Sequence, residues 1–164
     1  MVKGKKISNF LKPLLQNSLQ TYLGTGLHTL GLLGWILEQT GPSDVIVSTF
    51  STSEEFLSGF YNLQKKGYIN HSVLLADHKA SRKTMKLKAL MANCFDDVYL
   101  GENHSKIVLV TNGHIQVSVV TSQNQTYGGR AECTMITTIS EVYSNLFSDF
   151  QKIIEQSILL NELF

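Results

Sequence analysis

The stretch that decides the reading is ENHSKIVLVTNGHIQVSVVTSQNQTYGGRAE, residues 102–132. Two apolar runs flank Asn112-Gly113, a dipeptide that tolerates the backbone of a tight turn, so the segment predicts a β-hairpin. A hairpin made only for packing has no use for His104 and Lys106 opening its first strand, or for Ser122 and Asn124 closing its second. Residues two apart on a strand share a face, so His104 points with Lys106 and Ser122 with Asn124. Whether the two pairs meet depends on the turn. A two-residue loop would set Lys106 opposite Val119 and Ser122 opposite Asn103, on the wrong face. A three-residue loop, 112–114 with the glycine left-handed, sets His104 opposite Ser122 and Lys106 opposite Val120. That register is expected, because it brings imidazole, ammonium, hydroxyl and amide to one spot. A bulge near Thr121 would serve the same end.

The rest of the chain fits a single domain spanning 1–164, long enough to bury a core without staples. DVIVSTF (44–50) and INHSVLLAD (69–77) read as strands buried on both faces, and DVYL (97–100) as a shorter one. Between them lie a helix opened by a Thr52/Glu55 capping box and closed near Gly67, and a basic helix in KASRKTMKLKALMANC (79–94). Earlier come a helix from Ser8 toward Tyr22, with Pro13 near its start, and a second over 24–39. After the hairpin follow a last strand (132–138) and a C-terminal helix from Ser140 with apolar residues Val142, Leu146, Phe150, Ile153 and Ile154. Alternating strands and helices predict an α/β fold: a mixed β-sheet flanked by helices on both faces, with the motif hairpin near the C-terminal half.

With 43% hydrophobic and 16% charged residues and a net charge of +1, the chain as a whole is no polyelectrolyte. Attraction to a polyanion must come from a local patch. Cys94 and Cys133 lack metal-ligand spacing and are too few for a disulfide framework. The basic start of the chain leads into an apolar run broken by Lys12, Pro13, Gln16 and Asn17, with no small-residue cleavage site, and TGLHTLGLLGWIL is too short to span a bilayer. A cytoplasmic chain with nothing removed is expected. GTGLHTLG lacks the preceding strand of a nucleotide loop. His28, His71, His78 and His114 show no pairing that suggests a metal. The Asn-x-Ser/Thr tripeptides at Asn70, Asn103 and Asn124 carry no meaning in a cytoplasmic chain.

Taken singly, a strand histidine is packing or surface, a lysine a solvated end, and Asn124 turn chemistry. Together, and with Arg130 and Glu132 downstream, they need a joint explanation. H-x-K followed, after a hydrophobic strand, by S-x-N resembles the signature of the phospholipase D superfamily, here as HSK (104–106) and SQN (122–124). The continuation through Asn124, Thr126, Arg130 and Glu132 is similar to the nuclease-like branch. The resemblance implies a phospholipase D-like fold and a histidine that attacks phosphorus. A second H-K motif would supply the acid. Only one H-x-K is present, so it also implies two chains sharing one site as a homodimer. Two positions depart from the pattern: Thr111 stands where the family has an aspartate, and Thr121 where it has a glycine. The spacing to S-x-N is also longer than usual.

The chemistry is consistent with those residue types. A phosphodiester is a poor electrophile and an anion, so its hydrolysis needs a nucleophile, an acid for the leaving oxygen, and cations or donors for the charge. His104 is the candidate nucleophile, with Glu132 orienting its other nitrogen. Lys106 supplies charge, Asn124 an amide donor and Ser122 a hydroxyl. No acidic cluster suited to magnesium accompanies them, Asp96 and Asp97 being adjacent and so on opposite strand faces, which favours metal-free, cofactor-free chemistry.

From Lys79 to Lys88 there are five cations and no acid. Helical spacing puts Lys79, Arg82, Lys83 and Lys86 along one stripe, either a solvated face or, with Arg130, a phosphate-tracking surface. No exposed apolar loop or export signal speaks for a lipid substrate. A metal-independent phosphodiesterase acting on nucleic acid, DNA rather than RNA, with no membrane contact, is the expectation. The alternative is a weak or inactive nucleic-acid-binding module that keeps the phosphate pocket. A purely structural subunit would leave the His–Lys–Ser–Asn grouping without a purpose.

Overall fold

The structure is a computed structural model that describes residues 7–80, 82–126 and 128–163. All its strands join one eight-stranded sheet in the order β1-β7-β6-β5-β2-β3-β4-β8. They are β1 (Leu19–Gly24), β2 (Ser43–Thr49), β3 (Ile69–Asp77), β4 (Asp97–Gly101), β5 (Ile107–Thr111), β6 (Gln116–Thr121), β7 (Glu132–Thr137) and β8 (Ile158–Leu159). The helices are α1 (Thr29–Thr40), α2 (Glu54–Lys65), α3 (Arg82–Met85), α4 (Lys88–Cys94) and α5 (Ser140–Glu155). β2, β3 and β4 run parallel, and the remaining pairs are antiparallel.

The central strands are apolar without interruption because both of their faces are covered. Val45, Val47, Leu74, Ala76, Val108 and Val110 point into a core built with Leu33, Ile36, Leu37, Phe56, Phe60 and Met91 from α1, α2 and α4. Their alternates Ile46, Leu75, Ile107 and Leu109 point the other way, against Tyr143 and Phe150 of α5. Phe60, fully buried, stacks on Phe95 with ring centroids 4.0 Å apart. Burying a side chain of that size contributes roughly 1.5–3 kcal/mol. The mixed sheet with helices on both faces is thus the observed architecture.

Several local expectations are corrected. No helix runs from Ser8 to Tyr22: one 3-10 turn, Leu14–Gln16, follows Pro13, and then comes β1. Proline removes a helical donor, and β7 offers residues 19–24 a complete antiparallel ladder. The second helix accordingly starts at Thr29, not at 24. Ser53, not Thr52, caps α2, its Oγ accepting from Phe56 N at 3.2 Å; the Thr52 hydroxyl instead donates to Gln125 Oε1 at 2.7 Å. The basic helix is two short helices broken around Lys86 and Leu87. β7 is not the last strand, since β8 pairs with the edge of β4. The buried face of α5 centres on Tyr143 and Phe150 with Leu146 and Ile154, while Ile153 is exposed. The basic start of the chain, residues 1–6, lies outside the described residues.

Candidate active site

The topology gathers several strand ends at one end of the sheet. β2 finishes at Thr49, and antiparallel β5 begins beside it, Ser48 opposite Ile107. β6 ends next to that start, Ile107 opposite Val120, and β7 begins next to the end of β6, Thr121 opposite Thr134. β3 also finishes there, at Asp77. Carboxyl ends of parallel strands, where neighbours depart to either side, are where open α/β sheets bind ligands.

The hairpin register is neither of the two considered from sequence. Thr111 pairs with Gln116, leaving a four-residue turn, 112–115. Asn112 Oδ1 accepts from His114 N at 2.8 Å and Ile115 N at 2.9 Å, and Gly113 takes a φ of 91°, which a side chain would strain. The expected pairing of His104 with Ser122 and of Lys106 with Val120 is therefore wrong: Val120 faces Ile107, and Thr121 N donates to the Lys106 carbonyl at 3.1 Å. Both motifs lie beyond the ladder, since β5 starts after Lys106 and β6 stops before Ser122. Their placement comes from side-chain anchors.

A buried polar frame holds the first motif. Asp77, 7% exposed, accepts from Lys79 N at 2.7 Å and Asn103 N at 2.8 Å. Asn103 donates through Nδ2 to the Thr49 carbonyl at 3.1 Å, and its Oδ1 accepts from Ser105 N at 3.2 Å. Ser105 Oγ lies 2.8 Å from Ser48 Oγ, which also accepts from Ile107 N. With Ser105 turned toward Ser48, His104 and Lys106 share the outward side. Lys106 Nζ stands 3.2 Å from His104 Nδ1 and donates to the His104 carbonyl at 2.9 Å, while the imidazole packs on Phe50 with ring centroids 5.0 Å apart.

The second motif is anchored to the same strand end. Asn124 Oδ1 accepts from Ser51 N at 3.3 Å, one residue beyond the Phe50 that carries His104. Gln123 and Gln125, both buried, point inward: Gln123 Oε1 accepts from Thr29 N and its hydroxyl, and Gln125 from Thr52. Ser122 Oγ donates to Glu132 and accepts from Cys133 N at 3.0 Å. Glu132 is thus bound to Ser122 and not to the imidazole; among the described residues no hydrogen bond or ion pair joins it to His104. Asn124, Thr126, Arg130 and Glu132 line one cavity of ≈ 320 Å³.

The two departures from the family pattern have local work. Thr111 is at the far end of β5, where its hydroxyl donates to the Ile115 carbonyl at 3.1 Å and accepts from Gly113 N. Thr121 Oγ1 lies 2.9 Å from Thr134 Oγ1 and accepts from Gln123 N at 3.1 Å, fixing the bend into the second motif. The cations do not form one helical stripe. Lys79 precedes α3 and pairs with Glu102 at 3.5 Å, Arg82 and Lys83 lie in α3, and Lys86 is in the break. All four are exposed on the segment leaving the carboxyl end of β3. Asp77, Asn103, Ser48, Gln123 and Gln125 were not anticipated as supports; only for Gln123 and Gln125 did alternation, within SQNQ, give a signal.

No family model and no curated protein matches the chain. Among solved structures it is similar to Nuc from Salmonella typhimurium, a phospholipase D family member, at a TM-score of 0.65 and 14% identity over 86% of this chain and 97% of that one. NucT from Helicobacter pylori gives 0.63 and 12% over 86% and 99%. TrmBL2, an archaeal chromatin protein described as showing a novel mode of DNA binding, gives 0.62 and 10% over 93% of this chain and 57% of that one. The fold of this chain is that of the phospholipase D family.

Proposed function

We propose that the chain is a metal-independent phosphodiesterase, a nuclease by substrate, acting through a phosphohistidine at His104 in a site completed by a second copy. The observation that carries this reading is the pairing of an outward-facing imidazole and ammonium at 3.2 Å, at the sheet end that also holds Asn124, Arg130, Ser122 and Glu132. Similarity of fold to phospholipase D-type nucleases supports it.

In the proposed reaction an imidazole nitrogen of His104 attacks phosphorus and the bond to the leaving oxygen breaks. His104 of the second copy gives that oxygen its proton. Water then attacks the phosphohistidine, yielding its proton to the same group and restoring both histidines. Lys106, Asn124 and Arg130 meet the charge on the phosphoryl oxygens. In the resting arrangement Lys106 Nζ lies 3.2 Å from His104 Nδ1 and blocks that nitrogen. A bound phosphate that draws the ammonium away releases the imidazole. Two copies must bury on the order of 1,600 Å² for a stable shared cleft.

A second reading, a nucleic-acid-binding module without turnover, is favoured by the engagement of Glu132 with Ser122, which turns that carboxylate to the hydroxyl and not to His104. The deciding experiment is a cleavage assay in EDTA on single- and double-stranded DNA and RNA, with His104→Ala as control. Cleavage that persists in EDTA and vanishes in the variant is expected. Binding without cleavage on every substrate establishes the second reading.

A further inference from the structure

A groove of ≈ 400 Å³ lies between α1 and α2 and runs to Asn124 and Thr126, which also line the cavity holding Arg130 and Glu132. Its walls carry Leu30 and Trp35 from α1 and Phe56 and Leu63 from α2, beside the polar Thr29, Ser53 and Asn62. Gly34 leaves it open, since a β-carbon there would find only Leu63 Cδ2, at 4.0 Å. Its inner end is polar, lined by Gln123, Asn124 and Gln125. The Gln125 amide bonds Thr52 through one atom, and the other is buried without a partner among the described residues.

The outer rim carries Glu38 and Glu55 against a single cation, Lys66. A phosphate gains nothing by entering such a groove, whereas the neutral part of a nucleotide does. Apolar and aromatic walls closing on amide groups suit a flat heterocycle with a hydrogen-bonding edge. We propose that this groove binds an unpaired base of the nucleic-acid strand, the one next to the phosphate held at Asn124. The inference rests on the nucleic-acid substrate proposed above and adds a preference to it: the strand must be single, because a base stacked in a duplex cannot enter.

Trp35 is the sole tryptophan of the chain, so its emission reports on the groove alone. The test titrates the full chain in EDTA with a thymidine oligomer, with a sugar-phosphate oligomer of equal length lacking bases, and with a duplex. The thymidine oligomer should bind about 10- to 100-fold more tightly than the other two, the span expected when a stacked base is added or removed, and should alone change the Trp35 emission. Gly34→Leu, which fills the groove with a better helix former, should bring the thymidine oligomer down to the affinity of the base-free one. Gly34→Ala should keep most of the preference. Equal binding of all three oligomers with Trp35 undisturbed, alongside cleavage of any of them, overturns the groove and leaves the nuclease standing. Absence of binding by all three overturns both.

Discussion

Lys106 Nζ stands 3.2 Å from His104 Nδ1, so the two groups of the H-x-K motif act on each other before they act on anything else. An ammonium in that position both orients the ring and waits beside the place where a phosphate would come to lie. Lys106→Ala should therefore weaken substrate binding and slow turnover together, because the charge serves ground state and transition state alike. A fall in kcat/KM of about 100-fold or more, with KM raised, is the expected result of steady-state kinetics. An unchanged KM would mean that the lysine serves only the imidazole.

Asp77 holds the motif from behind. It accepts two backbone N–H groups, from Lys79 and Asn103, in a buried setting. Asp77→Ala leaves both donors unmatched, at a cost of about 2–4 kcal/mol. That should lower the melting temperature by roughly 5–15 °C in calorimetry. Asp77→Asn keeps one acceptor and should lie between the two. A melting temperature unmoved by Asp77→Ala would show that Asn103 is held by its own side chain alone.

Thr111 is four residues along β5 from Ile107, roughly 13 Å by strand rise, and ties the hairpin turn. Placing an aspartate there, Thr111→Asp, should leave cleavage within about twofold but lower stability by about 1–2 kcal/mol, since the hydroxyl donor to the Ile115 carbonyl is lost and the new carboxylate faces Asp44 across the β2–β5 pairing. A tenfold gain in activity would show that the position communicates with His104.

The paired strands were legible from sequence because their apolar residues run uninterrupted, and a chain buried on both faces has no other economical arrangement. β1 was not legible. Its Leu19, Thr21 and Leu23 are all exposed and its pattern is set by pairing with β7, more than a hundred residues away. The candidate site residues, His104, Lys106, Ser122 and Asn124, stood out because a packing hairpin has no need of them. Their supports did not, since Asp77 meets Asn103 across 26 residues and Ser48 meets Ser105 across 57. Nothing local marks a polar residue that will be buried by a distant partner. The register failed for a related reason: the side chain of Asn112 holds the amides of both His114 and Ile115, widening the turn beyond what Asn-Gly usually makes.

His28 lines the α1–α2 groove beside Gln123, its Nδ1 3.4 Å from Gln123 Nε2, and burial lowers its pKa below the ordinary 6.5. The unfolded chain takes up that proton near pH 6.5 and the folded chain only at lower pH. The folded state thus keeps its full stability above pH 6.5 and loses it as pH falls through the folded value. Melting temperatures from pH 8 to pH 5 should fall more steeply for the native chain than for His28→Gln. Parallel curves would assign the acid loss to other groups.

In the proposed reaction His104 bonds to phosphorus. The most direct measurement of that bond is a trapping experiment: the protein is mixed in EDTA with an oligonucleotide carrying radioactive internal phosphates, quenched in denaturant during turnover, and freed of unbound strand. The native protein should carry label that survives alkali, is lost in acid as a phosphohistidine must be, and is absent from His104→Ala. Turnover with no label on the native protein, undiminished in His104→Ala, would contradict the proposed bond.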